Sequence, residues 1–120
     1  MIIEAYITKY NSIIIDPTVS INADAINCYT LHFSFQEPWG SELTLFAVFK
    51  PKLDTPIYLQ LDENHCCKVP YQIYHKYAKL GIGLKGTKYN AEGIIEEQQI
   101  TNLTFIPVRK SAGMFIEDLV

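Results

Sequence analysis

Residues 28–50 read CYTLHFSFQEPWGSELTLFAVFK. The first eight alternate strictly. Tyr29, Leu31, Phe33 and Phe35 fall on one side, and Cys28, Thr30, His32 and Ser34 on the other. A period of two is that of a strand with one face buried. Residues 43–50 then read as a second strand, apolar on both sides: Leu43, Leu45, Ala47 and Phe49 against Phe46 and Val48. That pattern predicts a central strand covered on both faces.

The same period continues outward. Residues 57–61, IYLQL, alternate, the polar DENH makes a turn, and CCKV returns as a strand ending at Pro70, so the segment reads as a hairpin. Residues 80–86, LGIGLKG, read as a strand whose glycines mark a bulge or a close backbone approach. Residues 2–8, 12–15, 94–95 and 100–106 are further strands, and 17–27 reads as a loop with one short strand at most. Tyr71, Tyr74, Tyr77 and Ala78 recur at spacings of three and four after Pro70, which predicts a short helical turn over 71–79. Seven to nine short strands with at most one helical turn predict an all-β chain. The expected fold is an antiparallel β-sandwich, Ig-like or jelly-roll-like, forming one domain over 1–120.

The totals narrow the function classes. A net charge of −3 with scattered Lys and Arg gives no basic patch for nucleic acid. No apolar run approaches the ~20 residues of a membrane span, and the N-terminus does not read as a signal peptide. Three cysteines, two of them adjacent, are a poor disulfide framework and suit a reducing compartment.

Reactive residue types gather at His65-Cys66-Cys67, with Cys28, His32 and His75 elsewhere. On a strand, Cys66 and Cys67 point to opposite faces, so their sulfurs do not share a tetrahedral metal. Neither stands at a helix N-terminus or beside a basic cluster that would favour the thiolate. The expectation is packing, with no metal, no cofactor and no catalytic residue. A small hydrolase or metal protein using Cys67, His65 and His32 is the competing chemical reading. Glu92, Glu96 and Glu97 read as a solvated edge. Gly81, Gly83 and Gly86 match G-x-G-x-x-G but follow a helical turn rather than a strand, so they are no phosphate loop.

Tyrosine is abundant, at eight residues. Tyr71, Tyr74 and Tyr77, with the single Trp39, form the candidate aromatic binding surface, suited to a glycan or a protein interface. The bland reading is that they fill the core and a corner.

One ordered pattern carries a resemblance. It runs LHFSFQEPWGSELTLFAVFKPK, then IYLQLDENHCCKVPYQIY, then KLGIGLKGTKYN, and closes with ITNLTFIPVRKSA. It resembles a family of small domains in tail and baseplate proteins of phages and prophages that infect Gram-positive bacteria. Phe33, Phe35, Trp39, Ala47, Phe49, Leu61, Asp62, Cys67, Val69, Pro70, Tyr71, Gly81, Gly83 and Gly86 stand where that family has its counterparts. The cover is residues 28–110, and Tyr71 stands where many members have Trp. The resemblance implies a non-enzymatic virion protein, made in the bacterial host cytoplasm and incorporated in the tail or baseplate. It would attach or form part of the host-recognition apparatus through contacts with other tail and baseplate proteins. It also implies that Cys67 is a packing residue. Virion symmetry adds the expectation of a homo-oligomer, a trimer or hexamer. The alternative is a carbohydrate-binding β-sandwich that recognises cell-surface glycan.

Overall fold

The computed structural model describes residues 1–23, 25–26, 28–40, 42–51, 55–71 and 79–109. Its strands are β1 (Ile2–Ile7), β2 (Ile13–Ile15), β3 (Ile21–Asn22), β4 (Thr30–Phe35), β5 (Thr44–Pro51), β6 (Ile57–Gln60), β7 (Cys66–Lys68), β8 (Lys79–Tyr89), β9 (Ile95–Ile100) and β10 (Thr104–Arg109). They form two sheets. The smaller runs β2-β1-β4-β7, and the larger runs β3-β10-β8-β5-β6, with β9 also on β8. The all-β, sandwich-like expectation holds. The helical turn expected over 71–79 and the tail over 110–120 lie almost wholly outside the described residues.

Alternation decides which faces meet. On the small sheet Ile3, Ala5, Ile7, Ile13, Leu31 and Phe33 turn inward and are buried. Ala47 and Phe49 of β5 and Leu80, Ile82 and Leu84 of β8 do the same on the large sheet. Small sits against large, as close packing requires: Ala5 is the direct neighbour of Phe33. The strand at 43–50 is central, between β6 and β8.

Two features depart from the sequence reading. The pairings are not all antiparallel, since β1 runs parallel to β4 and β3 parallel to β10. Alternation gives a strand's faces but not its direction, so this was invisible in the sequence. The segment 57–69 is also not a hairpin. β6 pairs with β5 in the large sheet, and β7 pairs with β4 in the small one. The turn between them is real. Asp62 Oδ1 accepts the N–H groups of Asn64 (2.8 Å) and Cys66 (2.9 Å), and His65 adopts φ 61°. The turn closes locally, with Asp62 N–H donating to Cys66 O at 2.9 Å, but the strands on either side of it belong to different sheets. The backbone N–H of Leu61 still bonds Leu45, while the carbonyl of His65 already accepts from Phe33.

The opposite side is closed by Asn102. Its Oδ1 accepts from Ile13 N of β2 at 3.1 Å, and its own N–H bonds Asn11 O at 3.3 Å. Asn102 sits in the break where the chain leaves β9 and enters β10, both on the same side of β8. Thr101 bridges that break, with Oγ1 accepting from Leu84 N at 2.9 Å.

The close approach expected at the glycines is present. A Cβ on Gly81 would lie 3.1 Å from Lys50 O, a backbone atom that cannot give way, and 3.1 Å from Phe105 Cε1. Phe33→Ala removes the largest buried side chain of the small sheet. It is expected to lower unfolding stability by about 3–5 kcal/mol in urea titration. A loss under about 1 kcal/mol would mean that the two inner faces do not meet as described.

Candidate functional site

The parallel pairing of β1 with β4 sets Glu4 beside His32, and the antiparallel pairing of β4 with β7 sets His32 beside Cys66. Three reactive side chains thus form a row across the outer face of the small sheet. His32 Nδ1 and Glu4 Oε2 are 2.7 Å apart, an ion pair whenever the imidazole is protonated. A Glu–His–Cys row has the membership of a thiol-nucleophile triad. Its electrostatics oppose that role. Desolvation first, then the charges of Asp62 and Glu4, push the Cys66 thiol up, so the nucleophilic thiolate is disfavoured. Cys66 Sγ instead donates to Asn64 O at 3.5 Å.

Cys67 takes the other face of β7 and packs against the core. Burial first, then the charges of Cys66 and Asp62, push its thiol up to about 12. His65 is occupied as a ring, meeting Phe35 edge-on with centroids 5.5 Å apart. Among the described residues no three His, Cys, Asp or Glu side chains are grouped to hold a metal ion. His75 lies outside the described residues.

The candidate aromatic surface divides. Trp39 follows the C-terminal end of β4, tilted against Phe35 at 5.7 Å, with Gly86 directly beneath its ring. It is half-buried and lines a cleft of about 120 Å³ with Phe35, Leu43, Leu45 and His65. Tyr71 follows β7 at the opposite end of β4, where Val69 N bonds Tyr29 O, and it too packs against the core. Strand β4 separates the two rings by about 20 Å at 3.3 Å per residue. Tyr74 and Tyr77 lie outside the described residues.

The structure adds a surface that the sequence reading missed, the outer face of the large sheet. Phe105 (55% exposed) lies over Gly81, Leu103 lies over Gly83, and Ile100 (50% exposed) and Tyr58 (47% exposed) flank them. Val48, Pro56, Tyr58, Gly83, Ile100 and Leu103 line a shallow apolar cleft of about 220 Å³ there. The available signal was the apolar second face of β5, where Val48 is buried and Phe46 half-buried. Glu96 and Glu97 stand on exposed β9, and Glu92 in the turn before it.

No protein-family model matches the chain, and no curated protein sequence matches it. Among solved structures, the N-terminal domain of phage TP901-1 ORF48 is similar, with a TM-score of 0.59 and 16% identity. The likeness covers 91% of this chain and 97% of that one, and it shows a shared fold.

Thiol chemistry checks the burial directly. With iodoacetamide at about pH 8, exposed Cys28 is expected to alkylate first and Cys67 to stay protected until the chain is unfolded. Equal rates at Cys28 and Cys67 would contradict the packing of β7. The sign of the pH effect follows. The folded thiol of Cys67, at about 12, lies above its unfolded value of about 8.5. Its contribution to stability is therefore complete below the unfolded value and is lost as pH rises towards the folded one. Cys67→Ser is expected to flatten that alkaline decline in denaturation midpoints.

Proposed function

We propose that this chain is a structural component of a phage or prophage virion, a tail or baseplate part that works through protein–protein contacts. The observation that carries the reading is the fold likeness to a phage protein's N-terminal domain along nearly the whole of both chains. The ordered motifs over 28–110 support the same class. In this reading the chain is one domain, non-enzymatic, resident in the virion, and part of the apparatus that presents host-recognition proteins. The opposed electrostatics of the Glu4–His32–Cys66 row favour that over thiol catalysis.

The contact surface in this reading is the apolar end of the large sheet's outer face, at Ile100, Leu103 and Phe105. Exposed apolar groups gathered on one face are what partner surfaces bury. A glycan-binding module built on Trp39, or on Tyr71 with Tyr74 and Tyr77, is the weaker alternative, because Trp39 and Tyr71 both pack against the core.

Light scattering on the purified chain, alone and mixed with tail proteins of the phage or prophage that encodes it, tests the reading. A trimer or hexamer, or a defined complex with a tail protein, is expected. Phe105→Lys is expected to weaken that association at least tenfold, about 1.4 kcal/mol, while the circular dichroism spectrum stays the same. A monomer that joins no tail protein would refute the proposal.

A further inference from the structure

Two clefts meet at the end of the sandwich where β4 finishes. Phe35, Pro38, Trp39, Leu43, Leu45 and His65 line the smaller, of about 120 Å³. Leu43, Leu45 and His65 also line the larger, of about 340 Å³, whose wall continues through Gln60, Asp62 and Glu63. The shared residues make the two clefts one groove, with a narrow aromatic end and a broad acidic end.

The aromatic end is held in shape by the fold. Trp39 sits on Gly86, where a Cβ would come within 3.0 Å of its ring. Phe35 meets Trp39 at 5.7 Å, tilted by 56°, and His65 edge-on at 5.5 Å. His65 is fixed through its backbone. Its N–H donates to Asp62 O at 3.0 Å, and its carbonyl accepts from Phe33 N at 3.0 Å. Phe35 and Trp39 are half-buried, so their rings are anchored and still reachable from the cleft they line. A site already in place spares a ligand the cost of ordering it.

The charge around the groove has one sign. Asp62 and Glu63 are exposed at the broad end, and among the described residues no Lys or Arg lines either cleft. Lys88, two residues along β8 from Gly86, is held by Glu42 at 2.6 Å. The side chains of the narrow end are aromatic or aliphatic, and none is a carboxylate. A primary ammonium or a guanidinium seated there would leave N–H groups without acceptors. A cation that carries methyl groups in place of N–H groups would not.

We infer that the Phe35–Trp39–His65 end of this groove binds a small quaternary ammonium group. Aromatic rings attract a cation through the negative potential of their faces, and Trp does so most strongly. The methyl groups of the ligand pack on Leu43, Leu45 and Pro38. Asp62 and Glu63 supply the longer-range attraction, within a Debye length in a partly water-excluded groove. The narrow end is smaller than a drug-sized pocket and suits a single head group. This groove is separate from the contact surface at Ile100, Leu103 and Phe105.

The test is a titration of the chain with choline, followed by the fluorescence of Trp39, its single tryptophan, and by amide chemical shifts. Saturable binding with an affinity on the order of millimolar is expected, with shifts centred on Phe35, Trp39, Leu43 and His65. The neutral isostere 3,3-dimethylbutan-1-ol keeps the shape and loses the charge, and ethanolamine keeps the charge and loses the methyl groups. Each is expected to bind at least fivefold more weakly. Phosphocholine separates a lipid or polymer head group from a free cation, and its phosphate beside Asp62 and Glu63 should weaken it against choline. Glu63→Gln, at an exposed position, should weaken choline about twofold and reduce the salt dependence. Trp39→Leu should lower the affinity at least tenfold by amide shifts. Should that variant lose stability, the comparison of ligands on the unaltered chain still decides. No saturable change at tens of millimolar choline would overturn the inference, and so would equal binding of the neutral isostere. Either failure leaves the virion reading untouched, because that reading rests on assembly and not on this groove.

Discussion

Strand β8 is the constraint on which the rest depends. Its eleven residues run Lys79–Tyr89, and three of the five strand pairings of the large sheet among the described residues pass through them. Along one edge it holds β5 from Thr44↔Thr87 to Pro51↔Leu80. Along the other it holds β10 first and then β9. Its inner face supplies Leu80, Ile82 and Leu84, all fully buried. Its outer face carries Gly81 and Gly83, and the missing side chains let Phe105 and Leu103 lie flat across the sheet. One strand therefore sets both the core and the apolar outer surface.

The small sheet is fastened to this frame at its two sides by short polar devices. Asp62 holds the turn that lifts the chain from β6 into β7. Asn102 reaches from the break between β9 and β10 to the backbone of β2. Each spends one side chain on backbone groups that would otherwise lack partners at a sheet margin. The same architecture explains the placement of the reactive residues. Lateral pairing aligns Glu4, His32 and Cys66, but desolvation first, and then the charges of Asp62 and Glu4, favour the neutral thiol.

The sequence made the strand faces legible because burial of one face imposes a period of two. Tyr29, Leu31 and Phe33 are all buried as their spacing requires. The glycines of β8 were legible as close approaches for the same kind of local reason. Partners were not legible. DENH looks the same whether it folds a strand back or sends it to another sheet, and the difference lies in which edges are free elsewhere. Glu4 and His32 are far apart in sequence, and only the parallel register brings them together. Trp39 and Tyr71 share a composition-based reading, yet the length of β4 keeps them apart.

Among the described residues several large apolar side chains stay exposed beside a well-filled interior, and the structural role proposed above would account for them. Tyr58, Ile100 and Phe105 cost solubility unless something covers them. The most direct measurement is quantitative mass spectrometry of particles purified after induction of the strain that encodes the chain. The account predicts its peptides in intact particles, at a fixed copy number relative to the tail-tube protein and in a multiple of three. Particles that are complete and lack the chain would contradict it.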